Sequence, residues 1–186
     1  MLRIRSAVTD DAEAIAAIYN QGIAERSATF ETEPRTAADM AAAVGDARHP
    51  FLVAERDGAV VGWAAVAPYS TRACYAGVGE ATIYVAREAR GSGVGRRLAE
   101  GLAAEAERRG FHKLLGRLFT SNDASARLVR GCGFREVGVH VRHARLDGEW
   151  RDVLLVERLL GDAAARCAGP TGPMEGHPAP AGGAQP

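Results

Sequence analysis

A chain of 186 residues is long enough for one domain with a proper core and a tail beside it. Its 23 Lys and Arg cancel its 23 Asp and Glu, so the overall charge argues against broad binding to nucleic acid or to an anionic membrane surface. Cys74, Cys132 and Cys167 are scattered, without Cys-x-x-Cys spacing, and point neither to a disulfide framework nor to a metal site. The N-terminus runs straight into an acidic helical start and no later apolar run approaches membrane-spanning length, so a soluble, cytoplasmic protein is expected.

Leu2 and Ile4 alternate with Arg3 and Arg5 as a short first strand, and Thr9 followed by Asp10, Asp11 and Glu13 reads as an N-cap with acids that complement the helix dipole. Ile15, Ile18, Tyr19 and Ile23 form the buried stripe of that first helix, which Gly22 weakens near its end. Residues 28–34 have neither helical nor strand period and end in Pro34, so they read as a loop, in which Phe30 either packs underneath or lines a pocket. Thr36 then caps a second helix through Ala43.

Residues 51–55 and 60–66 are apolar runs joined through Asp57-Gly58, the signature of an antiparallel hairpin. A longer connection follows, holding Arg72, Cys74 and Tyr75, before a β-branched and aromatic strand over 81–85. Val94, Leu98 and Leu102 give the next stretch helical spacing, with Gly110 as its stop. A strand over 112–119 comes next, then a helix introduced by Asn122 and Ser125 with Leu128 and Val129 inward, and two strands over 134–146 and 150–159 around Asp147-Gly148. This alternation predicts a mixed α/β sheet flanked by helices. Residues 161–186 turn to Ala, Gly and Pro and are expected to be a disordered tail, where Cys167 and His177 lack metal-ligand partners.

The most informative stretch is 80–98, read as strand, glycine turn and helix. Gly91, Gly93 and Gly95 leave the backbone N–H groups of the helix start uncovered for an anionic phosphate, and Arg87, Arg90, Arg96 and Arg97 add positive charge. Two phosphate loops are excluded by spacing. A dinucleotide fingerprint would need glycine where Arg96 stands, and a Walker loop starting at Gly91 would need Gly-Lys-Ser or Gly-Lys-Thr where Arg96-Arg97-Leu98 stands.

What remains, Arg90-Gly91-Ser92-Gly93-Val94-Gly95, resembles the pyrophosphate loop of the GCN5-related N-acetyltransferases, and the order of elements over 2–160 is similar to the fold of that family. Ile18-Tyr19-Asn20, the Phe30 loop, Val53-Ala54-Glu55, Glu80 with Tyr84-Val85, Gly133-Phe134 and Trp150-x-Asp152 resemble the phosphinothricin, methionine sulfoximine and arsinothricin N-acetyltransferase subgroup. The resemblance implies acetyl-CoA as co-substrate, no metal, a small acidic amino acid as acceptor, and a homodimer. It implies that Ile83, Tyr84 and Val85 present backbone groups to the pantetheine and acetyl carbonyl, and that Arg90, Gly91, Ser92, Gly93, Val94 and Gly95 hold the pyrophosphate. It places Asn122 and Ser125 further along the coenzyme, Glu80 as the base, and Phe30, Arg72, Cys74 and Thr82 near the acceptor.

Elementary chemistry agrees with several of these roles. Strand alternation puts Glu80, Thr82 and Tyr84 on one face, and a positioned carboxylate can take the proton that an ammonium must lose before its nitrogen attacks a thioester. The planar fork of Arg72 matches a pair of carboxylate, phosphinate or arsinate oxygens. One departure is clear: many members of the broad family carry a tyrosine one residue after the leucine of the helix following the fifth strand, but here Val129 follows Leu128. The thiolate then leaves unassisted or with water. An acetyltransferase acting on protein N-termini or lysines, and a non-catalytic acyl-CoA-binding domain, are the competing classes.

Overall fold

The computed structural model describes residues 1–166. Seven strands, β1 (Leu2–Ser6), β2 (Phe51–Arg56), β3 (Ala59–Pro68), β4 (Val78–Val85), β5 (Lys113–Phe119), β6 (Arg135–Leu146) and β7 (Glu149–Leu159), form one sheet in the order β1-β2-β3-β4-β5-β7-β6. The helices are α1 (Ala12–Glu25), α2 (Ala37–Val44), α3 (Val94–Arg108), α4 (Asp123–Gly131) and α5 (Gly161–Arg166). The mixed α/β architecture expected from the alternation is the one observed.

Opposite sheet faces receive different helices. Trp63 of β3 stacks on Tyr84 of β4 at 4.9 Å and meets Tyr19 of α1 edge-on at 5.8 Å. A side chain at Gly62, its neighbour on β3, would instead meet Leu98 and Val94 of α3. The period of two along β3 therefore sorts α1 and α3 to the two faces. Ile15 and Ile18 on one side, and Val94, Leu98 and Leu102 on the other, are buried in the continuous core.

All neighbouring strands run antiparallel except β4 and β5. Their parallel pairing covers only Val78↔Lys113, Gly79↔Leu114 and Glu80↔Leu115. Beyond it, β4 continues to Val85 and β5 to Phe119 without bridging each other, which leaves an opening in the middle of the sheet.

Two expectations need correction. Thr9 does not cap α1: it lies in a 3-10 turn, Thr9–Asp11, without a side-chain capping bond, and the Asp11 carboxylate accepts from the Val8 N–H at 2.9 Å instead. Arg5 holds that carboxylate with two hydrogen bonds of 2.7 and 2.8 Å and keeps it below its ordinary pKa, so a buried anion fixes the turn. Nor does order end at residue 160, because Gly161–Arg166 is helical, with Asp162 in the first turn and a run of alanines of high helix propensity behind it. The rest of the expected tail, with Cys167 and His177, lies outside the described residues.

Candidate active site

The opening between β4 and β5 is a cavity of about 700 Å³. Its walls are Glu80 to Tyr84 from β4, Gly116 to Phe119 from β5, residues 28–33 from the loop after α1, and Asn122, Ser125, Leu128 and Val129 from the start and inner face of α4. Where two strands separate, main-chain N–H and C=O groups on the facing edges lose their ladder partners and become available to a ligand. Glu80 stands at the last bridged position, so its carboxylate sits at the apex of this opening.

The loop over the cavity is held from both sides. Arg26, with the left-handed φ of 54° that ends α1, donates to the Glu31 and Thr32 carbonyls at 3.4 Å and pairs with Asp147 of the β6–β7 turn at 3.2 Å. Asn20 accepts from the Arg35 N–H at 2.8 Å and donates to its carbonyl at 2.9 Å. Phe30 meets Phe119 edge-on at 4.8 Å, in a small apolar cluster with Leu146 and Val153, and also lines the cavity. The two alternatives left open for Phe30 therefore both apply. Tyr84 is half-buried against Tyr19 and Trp63, and burial pushes its phenol well above the ordinary tyrosine pKa.

At the other end of β4, the glycine stretch turns into α3. Gly91 and Gly93 have φ of +74° and +83°, the left-handed region, and a Cβ at either would meet nothing within 4 Å. That open concavity lies in front of the unpaired first N–H groups of α3, a cradle with the donors and the access a pyrophosphate needs. Ser92 is committed within the protein: its hydroxyl donates to the Ala89 carbonyl at 2.6 Å and accepts from Arg56 at 2.9 Å.

The arginines here do more than add charge. Arg90 donates to the Val85 carbonyl at 3.1 Å and pairs with Glu25 at 2.8 Å, and Arg87 reaches the same carboxylate at 2.9 Å. Burial pushes the Glu25 carboxyl up, but Arg90 and Arg87 together hold it below its usual value. Glu25 thus anchors the glycine loop to α1. Asn122 is similarly occupied, capping α4 by accepting from the Ser125 N–H at 3.0 Å and donating to the Ser27 carbonyl at 3.0 Å.

The structure brings Glu80, Thr82, Ile83, Tyr84, Phe30, Asn122 and Ser125 together around the cavity. Arg72 and Cys74 are not among its lining residues: they stand exposed at the 3-10 turn Ala73–Tyr75 between β3 and β4, with the Arg72 guanidinium 5.8 Å from the centre of the Tyr75 ring. Among the described residues no group of three or more His, Cys, Asp or Glu is arranged to hold a metal ion. Val129, in place of the family's tyrosine, is half-buried on the cavity wall.

Two polar lining residues, Arg117 and His143, carry no role in the sequence analysis. Arg117 of β5 forms a direct ion pair with Glu80, and its signal was a charge inside the otherwise apolar run 114–119. His143 lies on the exposed strand β6 with its Nδ1 3.1 Å from that of His140, where β6 carries two more residues than β7 between neighbouring bridges. Arg142, within that bulge, has a φ of 50° and its N–H donates to Asp152 at 2.7 Å. A strand read by simple alternation gives no warning of such a bulge.

Residues 15–134 match the acetyltransferase (GNAT) family, and the chain belongs to it. A phosphinothricin N-acetyltransferase of Alcaligenes faecalis is 37% identical over 161 residues, covering 84% of this chain and 82% of the relative. A phosphinothricin acetyltransferase of Sinorhizobium meliloti, solved in complex with acetyl-CoA, superimposes with a TM-score of 0.82 at 30% identity, over 88% of this chain and 91% of that one. A ribosomal-protein-alanine N-acetyltransferase of Brucella melitensis superimposes with a TM-score of 0.81 at 33% identity, over 85% of this chain and 99% of that one.

Proposed function

We propose that this acetyltransferase moves the acetyl group of acetyl-CoA to the amino group of a small acidic amino acid of the phosphinothricin, methionine sulfoximine or arsinothricin type, a reaction that detoxifies the acceptor and confers resistance to it. The observation that carries the reading is the position of Glu80, a carboxylate at the apex of the opening between β4 and β5. The likeness to the Alcaligenes and Sinorhizobium phosphinothricin enzymes supports the substrate class.

The roles follow from what each group can do. Backbone N–H groups from Gly91 to Gly95, with open space at Gly91 and Gly93, hold the pyrophosphate, while Arg90 fixes the loop and contributes its charge. Bound there, the coenzyme supplies an acetyl group activated as a thioester. The edge of β4 at Ile83, Tyr84 and Val85, without a β5 partner, offers main-chain groups to the pantetheine arm and the acetyl oxygen. Glu80 takes the ammonium proton, directly or through a water, which frees the nitrogen lone pair for attack. Asn122 and Ser125 border the coenzyme, and Phe30 and Thr82 shape the acceptor side, whereas Arg72 and Cys74, exposed on the β3–β4 loop outside the cavity wall, are assigned to the acceptor by the family resemblance alone. No metal takes part.

A protein N-terminus is the second reading, favoured by the likeness to the Brucella enzyme. A thiol-release assay with acetyl-CoA across amino acids, phosphinothricin and an alanine-ended peptide separates the two. Turnover confined to the small acids supports the first, and turnover confined to the peptide replaces it.

The enzyme is further proposed to be a cytoplasmic homodimer. Among the described residues no helix is long and apolar enough to cross a membrane. The edge strand β6 exposes Val137, Val139 and Val141, and Trp150 is exposed on neighbouring β7, an apolar surface suited to a second copy. Sedimentation at micromolar concentration tests this, and a monomer there contradicts it.

A further inference from the structure

Glu80 does not face the cavity alone. The Arg117 guanidinium, on the strand across the opening, is paired directly with its carboxylate. Among the described residues each is the other's only ion-pair partner, and Arg117 is the only Arg or Lys lining the cavity. The remaining acids on its wall are Glu31, which is paired with Arg35 at 2.7 Å, and Glu33. With the Arg117 side chain 50% exposed and that of Glu80 28% exposed, such a pair adds little to the stability of the fold. Arg117 also lies where β5 has no bridge to β4.

The pair is a fixed couple of charges, one negative and one positive, inside an acceptor pocket. An α-amino acid is the complementary couple, with an ammonium and a carboxylate on the same carbon. Resting on the reading of Glu80 as the base, we propose that Arg117 is the residue that selects an α-amino acid: it leaves Glu80 to bind the substrate α-carboxylate, while Glu80 takes the neighbouring ammonium. One ion pair is exchanged for two, so neither Glu80 nor Arg117 is left without a counterpart, and a site that left either charge unpaired would bind far less well. The fork of the guanidinium suits a carboxylate, with two parallel N–H···O bonds that fix the amine's position relative to Glu80. The exchange also uncovers Glu80 only when a substrate carrying both charges has entered.

The test compares L-phosphinothricin with its α-carboxamide, which keeps the amine and the phosphinate but not the α-carboxylate, by calorimetric titration of the coenzyme A complex and by steady-state kinetics. The wild type is expected to bind the acid about tenfold or more tightly than the carboxamide, the worth of one charge-assisted contact. Arg117→Gln should abolish that difference by weakening the acid alone, with the KM for acetyl-CoA unchanged, and Arg117→Lys should restore part of it. A wild type that binds acid and carboxamide equally, or an Arg117→Gln protein that keeps the preference, overturns the proposal. Equal weakening of both ligands in Arg117→Gln overturns it as well, because Arg117 would then hold the distal phosphinate. The reading of Glu80 as base fails separately, through retained turnover in Glu80→Gln.

Discussion

Gly22 of α1 leaves empty the place that the ring of Tyr84 occupies: a Cβ there would lie 2.7 Å from the Tyr84 Cε1. The glycine that reads in the sequence as a weakness of the helix is therefore what lets α1 close on β4 beside the cavity. Gly22→Ala sets two effects against each other. Helix propensity favours alanine by about 0.5–1 kcal/mol, whereas forcing a methyl group into a filled contact costs about 1–3 kcal/mol. The clash is with a half-buried ring stacked on Trp63, which has little room to yield. Thermal denaturation should show a lower Tm, and the KM for the amine should rise as the ring moves toward the cavity. An increase in Tm would mean that the ring yields freely.

Much of the fold was legible because each element announced itself locally. The Asp57-Gly58 turn, the Thr36 cap, whose side chain accepts from the Asp39 N–H at 3.3 Å, and the glycine loop before α3 all have fixed chemistry at fixed spacing. The start of α1 was misplaced because Asp11 is tied to Arg5, a contact between a strand and a turn that propensity does not contain. In the site, Glu80, Thr82 and Tyr84 follow from alternation, and Phe30 from an aromatic residue standing in a loop. Arg117 was missed because its meaning comes from the short register of the β4–β5 pair, which sets β5 opposite Glu80. The Glu25 anchor depends on the separation of Glu25 from Arg87 and Arg90 being closed by the fold, and no periodicity encodes it.

That anchor has a pH signature. The Glu25 carboxyl lies lower in the folded protein than its ordinary value of 4.5, because Arg90 and Arg87 outweigh burial. A depressed carboxylate contributes stability that is complete above its unfolded pKa and is lost as pH falls through the folded one. The stability difference between wild type and Glu25→Gln should therefore be constant from neutral pH down to about pH 5 and vanish in more acidic solution, with a plateau of about 1 kcal/mol for so exposed a pair. Urea denaturation across that range measures it. A difference that grows on acidification would contradict the assignment.

The glycine loop is tested by ligand-induced stabilisation. Acetyl-CoA at a hundredfold excess over its dissociation constant should stabilise the wild type by about 2.7 kcal/mol, whereas NADH should not. Gly93→Val places a branched side chain in the space a phosphate would occupy, at a φ of +83°. It should lower the stability of the free protein by about 1–2 kcal/mol and remove most of the gain from acetyl-CoA. Stabilisation by NADH and not by acetyl-CoA would overturn the coenzyme assignment.

The central claim is that Glu80 receives the ammonium proton, and the most direct measurement is the pH dependence of acetyl-CoA turnover in Glu80→Gln. The amide keeps the size of the side chain but cannot take the proton, so turnover at pH 7 should fall by about a hundredfold or more while acetyl-CoA still binds. The deficit should shrink as pH rises, since an amine already deprotonated in solution needs no base. Near-normal turnover at pH 7 with both substrates bound would contradict the account and shift the role to another carboxylate, with Glu31 on the cavity wall the first to test.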